Sequence, residues 1–144
     1  MRRSVLAVFV ALVGVGASFA ADDPIKARKD LMDANGDRTK AVIPILKGTA
    51  PFNKATVDAA LNQYIKTAEE APALFPPGSD KGKTHALPAI WQDKSDFEAR
   101  FQKLDADSKA ALAAITDEAT FKANYPPILK VCGGCHEKYR AKMK

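Results

Sequence analysis

Five residues close to the C-terminus constrain this 144-residue chain more than any other feature: Cys132-Gly133-Gly134-Cys135-His136. Two thiols three positions apart, followed at once by an imidazole, form the attachment signature of a c-type haem. The thiols add across the two porphyrin vinyl groups, and the imidazole nitrogen binds the iron. On a helix, positions i, i+3 and i+4 share a face, so both sulfurs and the ligand meet the same object. The run therefore predicts a helix near the tail. The sequence holds 2 cysteines, which allows one covalent haem and leaves no thiol for a disulfide.

Two rival readings are weaker. A dithiol redox motif sits at the start of a helix in a βαβ pattern, and no strand alternation surrounds Cys132. A structural zinc site needs four ligands, and beyond Cys132, Cys135 and His136 the other histidine is His85.

The opposite end supports export. Met1-Arg2-Arg3 precedes an apolar run from Val5 to Phe19, with small residues at Ser18 and Ala20, which predicts a signal peptide over 1–20 cleaved after Ala20. The run is short for a membrane span, so no stable insertion is expected after cleavage, although an uncleaved anchor is the alternative. The Arg pair resembles a twin-arginine signal only faintly. Haem attachment to an unfolded chain after export favours the general secretory route. Residues 21–144 are then one domain. Loss of Arg2 and Arg3 lowers the formal charge of +5 by two, and nothing resembles a nucleic-acid footprint.

Apolar periodicity predicts four helices. In the first, Ile25, Arg28, Met32, Asn35, Thr39, Val42 and Leu46 recur at steps of three and four, with Asp22 or Asp23 as cap, Pro24 at the first position, and Pro44 and Gly48 marking the end. The second spans about 54–70, capped by Asn53, with Val57, Leu61, Tyr64, Ile65 and Ala68 on one face. A capping-box pattern at Ser95 and Glu98 opens the third, which carries Phe97, Phe101, Leu104, Leu112 and Ile115 and ends near Thr116. The fourth runs from about Asp117 with Phe121, Tyr125, Ile128, Leu129, Cys132, Cys135, His136 and Tyr139 along one stripe. Pro126-Pro127 predicts a kink or break in it. The expected architecture is all-α, an antiparallel four-helix bundle. Between the second and third helices, the Pro- and Gly-rich stretch 72–93 is too apolar for a free tail, with Leu74, Phe75, Leu87, Ile90 and Trp91, and is expected to wrap the bundle.

The C-terminal Cys132-Gly133-Gly134-Cys135-His136-Glu137-Lys138-Tyr139-Arg140, together with Arg28 to Gly36 and the segments Leu74-Phe75-Pro76-Pro77-Gly78 and Pro88-Ala89-Ile90-Trp91, resembles the cytochrome c′ family, the class II c-type cytochromes. In class I cytochromes c the haem motif lies near the N-terminus instead. The resemblance implies a four-helix bundle carrying haem c and iron near the C-terminus, and a periplasmic location. In one branch a bulky side chain of the first helix covers a five-coordinate iron that binds nitric oxide or other small gases. In the low-spin branch a methionine of that helix is the sixth ligand. Met32 stands at the matching position, and the stretch from Leu31 to Gly36 looks most like the low-spin branch. Packing alone would also bury a methionine on this face, and His85 is a second conceivable ligand. The resemblance further implies that Arg28 lies near a haem propionate, with an exposed pairing to Asp23 or Asp33 as the plainer alternative, and that Arg140 lies on the proximal side.

With His136 and Met32 on iron, the expected activity is single-electron transfer between unidentified redox proteins, not enzymatic catalysis. The alternative is gas binding at a five-coordinate iron. Lys130, Lys138, Lys142 and Lys144 form a candidate basic rim for an acidic partner. The assembly expected is a monomer or a homodimer.

Overall fold

The structure, a computed structural model, describes residues 23–142, so the leader and its cleavage after Ala20, Asp22, Met143 and Lys144 lie outside the described residues. The elements are α1 (Pro24–Leu46), α2 (Lys54–Glu70), a 3₁₀ turn (Ala71–Leu74), α3 (Ala89–Gln92), α4 (Lys94–Ala114) and α5 (Glu118–Tyr139). Four long helices run up and down, as the periodicity predicts. No described helix is long and apolar enough to cross a membrane.

Each long helix starts where a side chain can take up the unpaired first-turn N–H groups. Asp23 accepts from the Lys26 amide at 2.9 Å, with Pro24 in the first turn, and Asn53 accepts from Thr56 at 2.9 Å. The start of α4 differs from the expectation. Its cap is Asp93, which accepts from the Asp96 amide, so the Ser95 and Glu98 pattern lies inside the helix and Glu98 instead pairs with Lys94. Either acid-or-hydroxyl position satisfies the local rule, and burial of Ile90 and Phe97 on both sides of Asp93 decides between them. Asp117 and Thr120 form a reciprocal capping box at α5.

Pro126-Pro127 does not break α5, which runs unbroken through both. The carbonyls that lose donors belong to exposed Lys122 and Ala123, where water can replace the missing bonds. Tyr125 and Ile128, both buried, pin the helix on either side of the pair.

The core is built from Val42 and Ile45 of α1, Val57, Leu61 and Tyr64 of α2, Phe97, Phe101 and Leu104 of α4, and Phe121, Tyr125, Ile128 and Tyr139 of α5. At one end, Phe75, Phe97, Phe101 and Tyr139 stack edge to face, with centroids 4.7–5.1 Å apart, a favoured arrangement for ring quadrupoles. Helix α1 packs on α2, α2 on α4, and α4 on α5, whereas α1 and α5 scarcely approach each other. The bundle is closed on three sides and open on the fourth.

The 72–93 stretch does wrap the bundle, as a strap. Trp91 Nε1 donates to the Pro76 carbonyl at 3.0 Å, and the strap's far part pairs with the tail through an isolated antiparallel bridge between Ala86 and Arg140. Leu87 N donates to Tyr139 O at 3.0 Å and Ala141 N to His85 O at 2.8 Å.

Candidate functional site

The two helices that bound the open side carry the candidate residues. Cys132, Cys135 and His136 lie on α5, half-buried, and the two cysteines pack against the main core with Met32 of α1. Both thiols are free. Burial pushes the Cys132 thiol up to about 11, with Cys135 adding to the shift, and burial likewise raises Cys135. Reactive dithiol motifs need the opposite, a depressed thiol that is ionised near neutrality. The redox-motif reading therefore fails on chemistry as well as on context. The zinc reading fails on geometry: among the described residues no three His, Cys, Asp or Glu side chains converge as a metal cluster.

His136 is held below its ordinary value, first by burial and then by the Arg140 charge, so its imidazole is neutral at pH 7 and keeps a lone pair for a metal. Gly133 is exposed, with nothing within 4 Å of a notional Cβ, so this position of the motif faces solvent. Paired apolar-facing thiols, a neutral imidazole one residue on, and an open bundle side suit a covalently bound porphyrin. The donor set fits haem c.

Met32 belongs to a polar run that crosses the bundle. The Asn35 amide lies 4.0 Å from Met32 Sδ, a long contact, and its oxygen accepts from buried Thr67 at 2.8 Å. Thr39 donates to Asn35 O at 2.8 Å and shares a 2.6 Å bond with the Tyr64 hydroxyl. Tyr64 in turn meets Tyr125 at 2.7 Å, and both phenols, raised by burial, also feel Cys132. A connected run thus links the Met32 region of α1 through α2 to the thiol region of α5. Periodicity marked these positions only as a helix face.

Arg28 is 3% exposed, so the surface pairing with Asp23 or Asp33 does not occur. Its Nη1 donates to Leu74 O (3.1 Å) and Ser79 Oγ (2.9 Å), and Nη2 to Ser79 O (2.7 Å) and Thr84 Oγ1 (2.8 Å). The guanidinium also lies 4.5 Å from the Phe75 ring centroid, a cation–π distance. It is hydrogen-bonded to no carboxylate of the chain, and burial lowers its affinity for its proton. Arg140 caps α5, with its N–H on His136 O at 3.0 Å. His85 is exposed, and its carbonyl is engaged by the tail.

Sequence reasoning missed Arg100 and Asp96. Arg100 Nη1 donates to Gly134 O at 3.1 Å, inside the haem motif, while its Nε holds Asp96 at 2.7 Å. Asp96 also accepts from Tyr139 at 2.5 Å and Lys138 at 3.0 Å. The i,i+4 spacing of Asp96 and Arg100 was the visible signal, but the reach to α5 was not. These three donors, Tyr139 foremost, hold the Asp96 carboxyl far below its usual range. A depressed carboxyl contributes stability that is complete above an unfolded value of about 4 and fades as pH falls toward the folded one. Asp96→Asn should flatten the acid limb of the stability curve below about pH 4, as read by thermal melts at stepped pH.

The cytochrome c′ family model matches residues 23–140. The chain belongs to the cytochrome c′ family. It is 41% identical over 140 residues to a cytochrome c′ of Rhodopseudomonas palustris, covering 95% of this chain and 96% of that one. A cytochrome c-556 of the same organism is 34% identical over 148 residues, with 99% of each covered. The solved structure of the R. palustris cytochrome c′ superposes with a TM-score of 0.82 at 41% identity, covering 85% of this chain and 98% of that one. This cytochrome is thus a haem c protein on a four-helix bundle, as its sequence leads one to expect.

Proposed function

We propose that this cytochrome is exported to the periplasm and carries single electrons, with haem joined through Cys132 and Cys135, His136 as proximal ligand and Met32 as distal ligand. Haem held in this way supplies a one-electron ferric–ferrous couple, with the thioether favouring the ferrous state. The observation that carries the reading is the placement of Met32. It is partly buried on α1, packed against the same core as both thiols and next to the Asn35, Thr39 and Tyr64 run. Arg28 contributes a buried positive charge with no carboxylate bonded to it, the counter-charge that a propionate requires, and Arg140 sets the field beside His136. Two protein ligands leave no position for substrate, which argues against an enzyme.

The ferric absorption spectrum tests this. A low-spin spectrum with a sulfur-to-iron charge-transfer band is expected in the native protein. Met32→Ala should turn it high-spin, lower the reduction potential and let nitric oxide bind. A native spectrum that is already high-spin would sink the assignment of Met32 and favour the gas-binding alternative.

A further inference from the structure

Most lysines on the helices are neutralised within their own helix, as in Lys26–Asp30, Lys54–Asp58, Lys103–Asp107 and Lys122–Glu118. Lys138, expected in the basic rim, is tied to Asp93 and Asp96. The seam between strap and tail is different. The Ala86–Arg140 bridge, with Ala141 N on His85 O, joins the strap segment that directly follows Lys81 and Lys83 to the tail segment that carries Arg140 and Lys142. All four are exposed, and among the described residues none forms an ion pair, although Asp80 and Glu137 adjoin them in sequence.

The seam is also rigid. Arg28 grips Ser79 and Thr84 on either side of Lys81 and Lys83, and Gly82 makes the turn between them at φ 112°, with its Cα side 3.4 Å from Ile25 Cδ1 for a notional Cβ. A left-handed turn of this kind favours glycine. Charges held in place before contact lose little freedom on binding. The seam lies one helical turn beyond His136, on whose carbonyl the Arg140 N–H rests. Among the described residues the exposed positions of the seam, Lys81, Gly82, Lys83, His85, Arg140 and Lys142, carry no large apolar side chain of the kind an interfacial anchor needs to enter lipid.

We propose that this seam is the docking surface for the acidic face of a partner redox protein, steering it by charge to the proximal edge of the haem. The inference rests on the electron-carrier reading. Opposed potentials of this kind chiefly accelerate encounter and set orientation, as a transient electron exchange demands.

The test is a titration of the ¹⁵N-labelled holoprotein with an acidic flavodoxin as probe, at an ionic strength of about 20 mM where screening is weak. Amide shifts should concentrate at 81–86 and 140–142. Lys81→Glu with Lys83→Glu should weaken binding roughly tenfold, whereas Arg38→Glu with Lys47→Glu, the same change in net charge elsewhere, should alter it less than about twofold. Equal weakening by both pairs, shifts centred on another face, or co-sedimentation with phosphatidylglycerol vesicles in preference to flavodoxin binding would overturn the proposal. The ferric spectrum of the same sample reports the ligation independently, so a failed carrier reading is distinguishable from a failed docking surface.

Discussion

Replacing Cys132 and Cys135 together by Ser should yield a protein from which acidified acetone removes all pigment, and whose intact mass lacks one haem. Each thiol forms one thioether, so either single variant should keep a covalent haem on the remaining sulfur while the pair keeps none. The structure makes the prediction sharp because no other thiol exists to substitute. Both sulfurs are half-buried against the apolar core and both are thiols rather than thiolates at neutral pH, so neither has another partner to serve. Loss of the haem also removes apolar burial and iron ligation that form only in the folded state, and the double variant should melt earlier for that reason alone. Pigment retained by the double variant through acid acetone would disprove covalent attachment at these residues.

Arg28→Met should be the most damaging substitution outside the haem motif. Methionine matches the aliphatic stem but donates nothing, and four acceptors on the strap lose their partner at once. Hydrogen bonds from a charged donor contribute about 1.5–3 kcal/mol each when buried, and water will recover part of that at the partly exposed Leu74 and Thr84. A net loss of about 3 kcal/mol is expected, or a fall in melting temperature of roughly 10 °C for a domain of this size. Because Ser79 and Thr84 bracket the turn at Gly82, the loss should appear first as faster amide exchange across 79–87. Arg28→Lys should rescue little, since a single ammonium cannot reproduce the two-pronged grip. If exchange in the strap is unchanged in Arg28→Met, the guanidinium does not hold it.

Both predictions draw on residues named in the sequence, yet they differ in how much of their role was legible there. For Cys132, Cys135 and His136, spacing alone carries the chemistry, because a helix converts three positions into one face. The four long helices were legible for the same reason, as were the caps Asp23 and Asn53. At Asp93 the local rule admitted a second solution, and at Pro126-Pro127 the helix continues where the rule allowed a break. In both places the surroundings decided: buried Ile90 and Phe97 selected the start of α4, and exposed carbonyls excused the prolines. Arg28 appeared on the right helix face, but its partners lie 46 to 56 residues away and no local pattern signals them.

From its amino acids alone this chain determined the haem motif, the all-α bundle and the family, since each of those is written in short-range spacing that helical geometry translates directly. Tertiary structure alone decided the rest. It opened the side between α1 and α5, linked the Met32 region of α1 to Tyr125 of α5 through Asn35, Thr39 and Tyr64, turned Arg28 inward to hold the strap, and sent Arg100 to the haem motif. Those contacts join segments far apart in the chain, where burial and hydrogen-bond satisfaction over the whole core, not neighbouring residues, set the outcome.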